Sequence, residues 1–249
     1  MRRPITANPE VKPGSGHRQL AVLSGIMSTA KPCCLVICSA AIDGVSTQPF
    51  IQAVTLLNSA FTLQLATPNG KAIEFVQQDD SSRRWLNDFR SKSVATPTRL
   101  DAIDVSRYAA VLVPPAPGAL YDLAKDADVA AVLNQAVAER KPVCAIGLGV
   151  AGLCGAMKDD RLTWTFSSYS LTGPSVLSLA RSPSFANLPL IIEDFIKDNG
   201  AVYSASKADQ VHVVVDQNLI TGQNEESTVV AVQNLILLCN ARQGKQMPS

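Results

Sequence analysis

The sequence predicts an α/β fold: a doubly wound, mainly parallel sheet with helices on both faces. Two observations predict it. Runs that are apolar at every position alternate along the chain with segments whose apolar residues recur every three or four positions. Strands of the first kind are buried on both faces, which is typical of a parallel sheet covered by helices. The alternation continues without an internal repeat, so one domain of this class is predicted.

The first half of the domain is predicted to contain three buried strands and two helices. Each strand is a short apolar run, and each helix carries its apolar residues on one face. The second helix is predicted to begin with acidic residues, because their negative charge stabilises the amino terminus of a helix. The predicted elements are, in order, a strand at 34–38, a helix at 48–58, a strand at 61–66, a helix at 79–89 and a strand at 108–113.

The second half continues the pattern. A helix with apolar residues at helical spacing precedes a buried strand that begins at Lys141 and ends in a glycine turn. Asn199-Gly200 is a capping signal for the carboxyl terminus of a further helix. The remaining predicted elements are helices at 126–139 and 188–197, a pair of short strands at 211–215 and 219–220, and a closing helix at 225–240.

Three segments are predicted along the chain. Residues 1–30 contain prolines and glycines without sustained periodicity, so they are predicted to be a disordered tail. Met27 stands just before the first strand, which suggests an alternative start that would omit the first 26 residues. Residues 31–242 are predicted to form the α/β domain, and residues 243–249 a short carboxyl-terminal tail.

The composition excludes several classes of function. The 22 basic and 21 acidic residues nearly cancel, so no global field attracts nucleic acid, and no direct contact with it is expected. No apolar run reaches the ~18 residues of a membrane-spanning helix, so no membrane insertion is expected. The six cysteines include no Cys-x-x-Cys pair and there are only two histidines, so neither a metal nor a cofactor is expected.

Residues 141–153 predict a buried strand, a tight glycine turn and the start of a helix. This arrangement is that of a nucleophile elbow, a sharp turn that presents a reactive serine or cysteine. The residue at the tip is Gly147, which has no side chain. Because ligand sites in such folds lie at the carboxyl ends of the strands, the candidate site is predicted beside residues 40–47, 114–120 and 147–151.

Three ordered blocks resemble one superfamily. Residues 141–150 (Lys-Pro-Val-Cys-Ala-Ile-Gly-Leu-Gly-Val) are similar to the signature Lys-Pro-Val-x-Ala-x-Cys-His-Gly-Pro of the PfpI superfamily. Residues 108–123 and 213–224 are similar to motifs of its Parkinson disease protein 7 branch. The resemblance covers roughly residues 31–240. It implies a flavodoxin-like fold of the class I glutamine amidotransferase type, and a homo-oligomer, either a dimer or a tetramer.

The chain departs from the superfamily at each position to which the resemblance assigns chemistry. Gly147 replaces the nucleophilic cysteine, and Leu148 replaces the adjacent histidine. Counting back from the second strand, with the helix length kept equal, places Gln48 where the family has a glutamate, and a glutamine cannot take up a proton. Pro115 and Ala116 replace the Gly-Gly of the oxyanion hole, and proline has no N–H to donate. These vestigial positions predict a pseudoenzyme with no catalytic residue.

The resemblance also suggests what the former active site contains. Gln48, Gly118, Gly147, Ser168 and Tyr169 are candidates to line the remaining pocket. A small-molecule binding module that uses this pocket is one alternative function. A cysteine-dependent glyoxalase, deglycase or hydrolase is another.

For other residues with reactive side chains, the sequence allows both a structural and a catalytic interpretation. Cys38 and Cys144 are the nucleophiles that the enzyme alternative would require, although core packing is the simpler interpretation of Cys144. Cys154 is expected to be packed, His212 to be structural, and Asp122 to be a polar group that supports the elbow.

Residues 44–46 and 168–175 resemble one branch of the superfamily still more closely. That resemblance implies a structural subunit of the FERRY complex, a Rab effector on early endosomes that links them to messenger RNA. It also implies a cytoplasmic protein, peripheral to early endosomes, whose partners are further copies of this chain and the other subunits of that complex.

Overall fold

The computed structural model describes the backbone of residues 30–246 and the side chains of residues 30–242. The tail predicted for residues 1–30 therefore lies outside the described residues, apart from Ala30. Eleven strands are described: β1 (Cys33–Ile37), β2 (Val45–Ser46), β3 (Thr62–Thr67), β4 (Phe75–Val76), β5 (Thr98–Arg99), β6 (Ala110–Val113), β7 (Val143–Ile146), β8 (Ser170–Leu171), β9 (Val202–Tyr203), β10 (Val213–Asp216) and β11 (Leu219–Gly222).

Seven α-helices accompany these strands within the described part of the chain. Several short 3₁₀ turns join them, and those that matter for the site are introduced below. The helices are α1 (Thr47–Ala60), α2 (Asp80–Arg90), α3 (Ala127–Ala138), α4 (Ala151–Cys154), α5 (Val176–Leu179), α6 (Ile192–Asp198) and α7 (Thr228–Gln246).

Seven strands form one sheet in the order β10-β11-β7-β6-β1-β3-β5. All neighbours are parallel except β10 and β11, which form an antiparallel pair. The chain passes from β1 to β3 on one side and returns to place β6 on the other side of β1. A parallel sheet whose order reverses in this way leaves a crevice outside the carboxyl ends of the strands at the reversal. The predicted doubly wound, flavodoxin-like fold is confirmed.

The core lies in the centre of this sheet. Every residue of β6 and β7 is fully buried, and so are residues 34–37 of β1. The helices α1 and α7 pack against each other and against the sheet, while α3 packs against β7 and α4. The central strands are apolar at every position because helices cover both of their faces.

Two predicted boundaries need correction. The helix predicted to begin at residue 188 begins at Ile192, because Pro189 restricts Leu188 to an extended conformation. The closing helix α7 continues to Gln246, so residues 243–246, which were assigned to the terminal tail, are helical. The short strands β2, β4, β5, β8 and β9 carried no periodic signal and were not predicted.

Candidate functional site: the elbow crevice

The elbow forms where β7 ends at Ile146. The chain turns sharply at Gly147, whose φ is +54°, and a 3₁₀ turn over Gly147–Val150 leads into α4. The predicted strand, glycine turn and helix start are therefore confirmed. A Cβ placed at Gly147 would lie 3.5 Å from Pro115 Cβ, which is an ordinary contact. The tip of the elbow thus has room for a side chain that the sequence does not supply.

A crevice of about 250 Å³ opens beside the elbow, at the carboxyl ends of β6, β7 and β11. We call it the elbow crevice. Its lining combines apolar side chains, among them Pro115 and Leu148, with the carboxylates of Asp209, Glu225 and Glu226. An open crevice with apolar walls and a few polar groups has the character of a small-molecule site.

A serine and a glutamate face each other in the elbow crevice. Ser46, the residue before α1, is fully buried, and its Oγ donates a hydrogen bond to Glu225 Oε1 at 2.5 Å. Both residues line the crevice beside Gly147. Residues 46 and 225 are far apart in the chain, and no motif connects them, so their pairing had no signal in the sequence.

Gln48 does not face the elbow, which corrects its predicted place in the pocket. The helix α1 begins at Thr47, and this puts Gln48 on the solvent side of the first turn. Its Nε2 donates to Asp79 Oδ2 at 3.2 Å, away from the crevice. Counting back from the second strand chose a residue on the outside of the helix, whereas the residue of this segment that lines the crevice is Ser46.

The segment after β6 supplies the wall opposite the elbow tip. Pro115 and Ala116, which the resemblance assigns to the oxyanion hole, both line the crevice. Pro115 has no N–H to offer, and its carbonyl oxygen accepts from the backbone N–H of Ser46 at 3.0 Å. Gly118 is buried beneath the loop after β1, and its N–H donates to the Gly44 carbonyl. Gly118 therefore supports this wall from behind and does not line the crevice.

Ser168 and Tyr169 lie at the opposite end of the sheet, so their prediction as pocket residues is corrected. Ser168 is exposed. The Tyr169 hydroxyl donates to Asn218 Oδ1 at 3.1 Å, and Asn218 immediately precedes β11 at the amino end of that strand. The resemblance placed these residues in a similar block of sequence, but it did not give the direction in which that block crosses the sheet.

Residues 204–210 pass along the crevice and are held by side chains that follow β11; we call this segment the strap. Gln223 Oε1 accepts from the N–H of Ser206, and Gln223 Nε2 donates to the carbonyl oxygens of Lys207 and Ala208. Asn224 Nδ2 donates to the Ala208 and Gln210 carbonyls. The residues Gln223 and Asn224, which follow β11, therefore fix one wall of the elbow crevice.

Replacing Gln223 by alanine is expected to release the strap. Gln223 is 1% exposed and makes three hydrogen bonds to the strap, so its loss removes a partner from the Ser206 N–H and from the Lys207 and Ala208 carbonyls, at a cost of about 2 kcal/mol. Hydrogen exchange should become faster in residues 204–210 while β1 and β6 stay protected. The exposed residue Gln233 on α7 provides the control, since Gln233→Ala should alter neither quantity. Equal exchange in the two variants would contradict the assigned anchor.

The cysteines that an enzyme would require are poorly suited to attack. Cys38, Cys144 and Cys154 are buried, and burial raises the pKa of each thiol well above its usual range. The negative charge of Asp122 raises the pKa of Cys38 further. A thiolate is the nucleophilic form, so these thiols are in their unreactive state near neutral pH.

His212 and Asp122 have structural partners. The ring of His212 lies between Ser204 Oγ, at 3.1 Å from Nε2, and Ser206 Oγ, at 2.9 Å from Nδ1, so it secures the strap. Asp122 Oδ2 accepts from the N–H groups of Ala40 and Ala41 at 2.7 and 3.0 Å. Burial raises the pKa of Asp122, and its role is to hold the loop after β1 beside the elbow.

Within residues 30–246, no three side chains of histidine, cysteine, aspartate or glutamate lie together so that they could hold a metal ion. Within the same stretch, none of the helices combines the length and the apolar character that crossing a bilayer requires.

Comparison with solved structures defines the class of the protein. The rapid encystment protein of 24 kDa from Francisella tularensis superposes with a TM-score of 0.73 at 19% identity, over 84% of this chain and 99% of that one. Drosophila melanogaster DJ-1beta gives a TM-score of 0.57 at 18% identity, over 84% of this chain and 90% of that one. At such identities the likeness concerns the fold, which is the flavodoxin-like fold of DJ-1 and PfpI proteins.

Curated relatives are much more similar. The human protein named glutamine amidotransferase-like class 1 domain-containing protein 1 is 54% identical over 212 residues, covering 85% of this chain and 96% of the relative. The Danio rerio protein of the same name is 55% identical over 214 residues, covering 86% and 100%. No family model matches the chain. The chain belongs to the family of glutamine amidotransferase-like class 1 domain-containing protein 1.

Proposed function

We propose that this protein is a non-catalytic scaffold that retains the fold of an enzyme superfamily as a protein-binding subunit. One observation carries the proposal: among the described residues that line the elbow crevice there is neither a cysteine nor a histidine. Hydrolysis through a covalent intermediate needs a nucleophile and a base within hydrogen-bond reach of each other. The Ser46 hydroxyl pairs with the Glu225 carboxylate, and no histidine among the described lining residues completes a serine–histidine pair with it.

The resemblance of residues 44–46 and 168–175 extends the proposal to a particular assembly. By that resemblance the protein is a subunit of the FERRY complex, cytoplasmic and peripheral to early endosomes, and it is itself a dimer or tetramer. The balance of basic and acidic residues supports contact with proteins rather than with the messenger RNA that this complex carries.

Affinity purification from native lysate, followed by mass spectrometry, tests this proposal. The tagged full chain should recover the other subunits of an endosomal Rab effector complex in near-stoichiometric amounts. Light scattering of the pure protein should give the mass of a dimer or tetramer. Recovery of the chain alone, as a monomer, would contradict the scaffold proposal.

The same preparation tests the enzyme alternative. Incubation with methylglyoxal or a glycated peptide should give no turnover above the rate without protein. Turnover that Cys38→Ala or Cys144→Ala abolishes would establish a cysteine-dependent enzyme instead. Cys154→Ala is the matched control, because Cys154 is also buried, on α4, and the enzyme alternative assigns it no role.

A small-molecule binding module is the second candidate function, and the open elbow crevice favours it. A ligand that occupies the crevice raises the melting temperature by an amount that grows with the logarithm of its concentration relative to Kd. A thermal-shift screen of metabolites therefore separates a binding module from a scaffold whose crevice is empty. The hit should lose its effect in the Gln223→Ala variant, whose crevice wall is released.

A further inference from the structure

A second cavity lies at the end of the sheet opposite to the elbow. It has a volume of about 410 Å³ and is lined by Val137, Arg140, Tyr169, Gln217, Asn218 and Arg242; we call it the arginine cavity. The backbone carbonyl of Asn218 accepts from the N–H of Val143, the first residue of β7. The cavity therefore lies at the amino ends of β7 and β11, whereas the elbow crevice lies at their carboxyl ends.

Two guanidinium groups dominate the charge of the arginine cavity. Arg242 donates through Nη1 to the backbone carbonyl of Arg140, so the Arg242 guanidinium lies against the turn that carries Arg140. No carboxylate lines the cavity, and among the described side chains neither arginine forms an ion pair. Two positive charges that line one cavity, with no carboxylate among the lining residues, attract an anion.

The carboxylates nearest in sequence are already engaged. Glu139 forms an ion pair with Lys141, with Oε2 at 3.1 Å from Nζ, and also accepts from Gln135. Asp216 Oδ2 accepts from the N–H of Ser170 at 2.7 Å. Neither lines the arginine cavity, so the positive charge there is not neutralised from within the described chain.

The floor of the cavity is fixed in place. Tyr169 is 6% exposed, and its hydroxyl donates to Asn218 Oδ1. Asn218 Nδ2 in turn donates to the Lys141 carbonyl at 2.8 Å, which sets the orientation of the amide. Val137 adds an apolar surface. A rigid floor with both of its polar groups satisfied leaves the guanidinium N–H groups, together with the amide of Gln217, as the donors available to a ligand.

The backbone also fixes Arg140. It occupies the position after the carboxyl-terminal cap of α3, with φ of +55°. Its N–H donates to the Val137 carbonyl, and the N–H of Lys141 donates to the Ala136 carbonyl, the two bonds of a Schellman motif. Glycine is the usual residue at this position because its φ is positive. An arginine here accepts backbone strain and brings its charge to the cavity.

We infer that the arginine cavity binds the phosphate group of a small phosphate monoester. Guanidinium groups present paired N–H donors that match the oxygen spacing of phosphate and carboxylate. Two such groups balance the charge of a dianion, which favours a phosphate monoester over a single carboxylate. The volume of about 410 Å³ falls within the range of small-molecule sites and leaves room for the body that carries the phosphate. The inference does not depend on the scaffold proposal.

Isothermal titration of the full chain with glycerol 3-phosphate tests the inference, with inorganic phosphate, succinate and chloride at equal ionic strength as comparisons. Glycerol 3-phosphate should bind saturably and more tightly than succinate, and chloride should have no effect. Arg242→Gln and Arg140→Gly should each weaken binding at least tenfold. Arg90→Gln, which removes an exposed arginine at the end of α2, should bind as the wild type does.

The Arg140→Gly variant separates a binding role from a folding role. Glycine relieves the strain of the positive φ, so this variant should melt above the wild type in the absence of ligand and yet lose phosphate binding. Vesicles with and without a phosphoinositide test a lipid headgroup as the source, and selective binding to the former would support the same site. No saturable binding of any phosphate, tighter binding of succinate, or equal weakening by Arg90→Gln would overturn the inference.

Discussion

Replacing Gly149 by alanine is expected to lower the free energy of unfolding by about 3 kcal/mol. A Cβ at this position would lie 2.9 Å from the Val113 carbonyl oxygen and still closer to the Pro114 carbonyl oxygen. Both atoms belong to the backbone at the end of β6, which cannot move aside as a flexible side chain can. The elbow therefore rests directly on the neighbouring strand, and one methyl group would force the two apart.

Two other glycines of the elbow provide matched controls for this prediction. A Cβ at Gly147 fits, but its φ of +54° is strained for alanine, so Gly147→Ala should cost about 1–2 kcal/mol. A Cβ at Gly152, on α4, would lie 3.6 Å from Leu123 Cβ, an ordinary contact. Because alanine is the better helix former, Gly152→Ala should be neutral or stabilising by up to about 1 kcal/mol.

Chemical denaturation of the three variants should therefore rank them in the order Gly149, Gly147, Gly152, from most to least destabilised. The order distinguishes crowding from conformational strain, since Gly149 is crowded but not strained, Gly147 is strained but not crowded, and Gly152 is neither. If Gly149→Ala were as stable as Gly152→Ala, the elbow would not be seated against the end of β6.

The central strands and helices could be predicted because their burial requires a regular pattern of apolar residues in the sequence. The strand predicted at 34–38 is β1, and the helix predicted at 126–139 is α3, each within a residue or so of its observed bounds. The start predicted for the helix at 188–197 was wrong, because Leu188 and Leu190 fit the apolar spacing of a helix. Pro189 prevents a helix there, and the observed helix begins at Ile192. Two-residue strands such as β2 and β8 are too short to show alternation.

The elbow was predictable for a similar reason, since its strand, turn and helix are contiguous in the chain. The rest of the site depends on contacts between distant segments. Ser46 and Glu225 meet only because β2 and the turn before α7 converge at the carboxyl edge of the sheet. Gln48 was assigned by counting back from the second strand, and Tyr169 by its position within a similar block. Neither method specifies which side of a helix or which end of the sheet a residue occupies.

Replacing Gly147 by cysteine is expected to create an exposed, reactive thiol without creating an enzyme. The new side chain would enter the elbow crevice, where a Cβ has room. Its alkylation by iodoacetamide should exceed that of Cys38, Cys144 and Cys154 by at least about 100-fold, because those thiols are buried and their pKa values are raised. Mass spectrometry of the labelled peptides measures the difference.

Turnover requires more than that thiol. A positioned general base contributes roughly 10²–10⁴ in rate, and Leu148 supplies none. One oxyanion donor contributes roughly 10²–10³, and Pro115 has no N–H. The Gly147→Cys variant should therefore hydrolyse an activated ester at least about 10⁴-fold more slowly than a complete site would. Gly147→Ser has the same geometry without the thiol and serves as the control. Substantial turnover by Gly147→Cys alone would mean that the Ser46–Glu225 pair acts as a base, and that the crevice is one substitution away from catalysis.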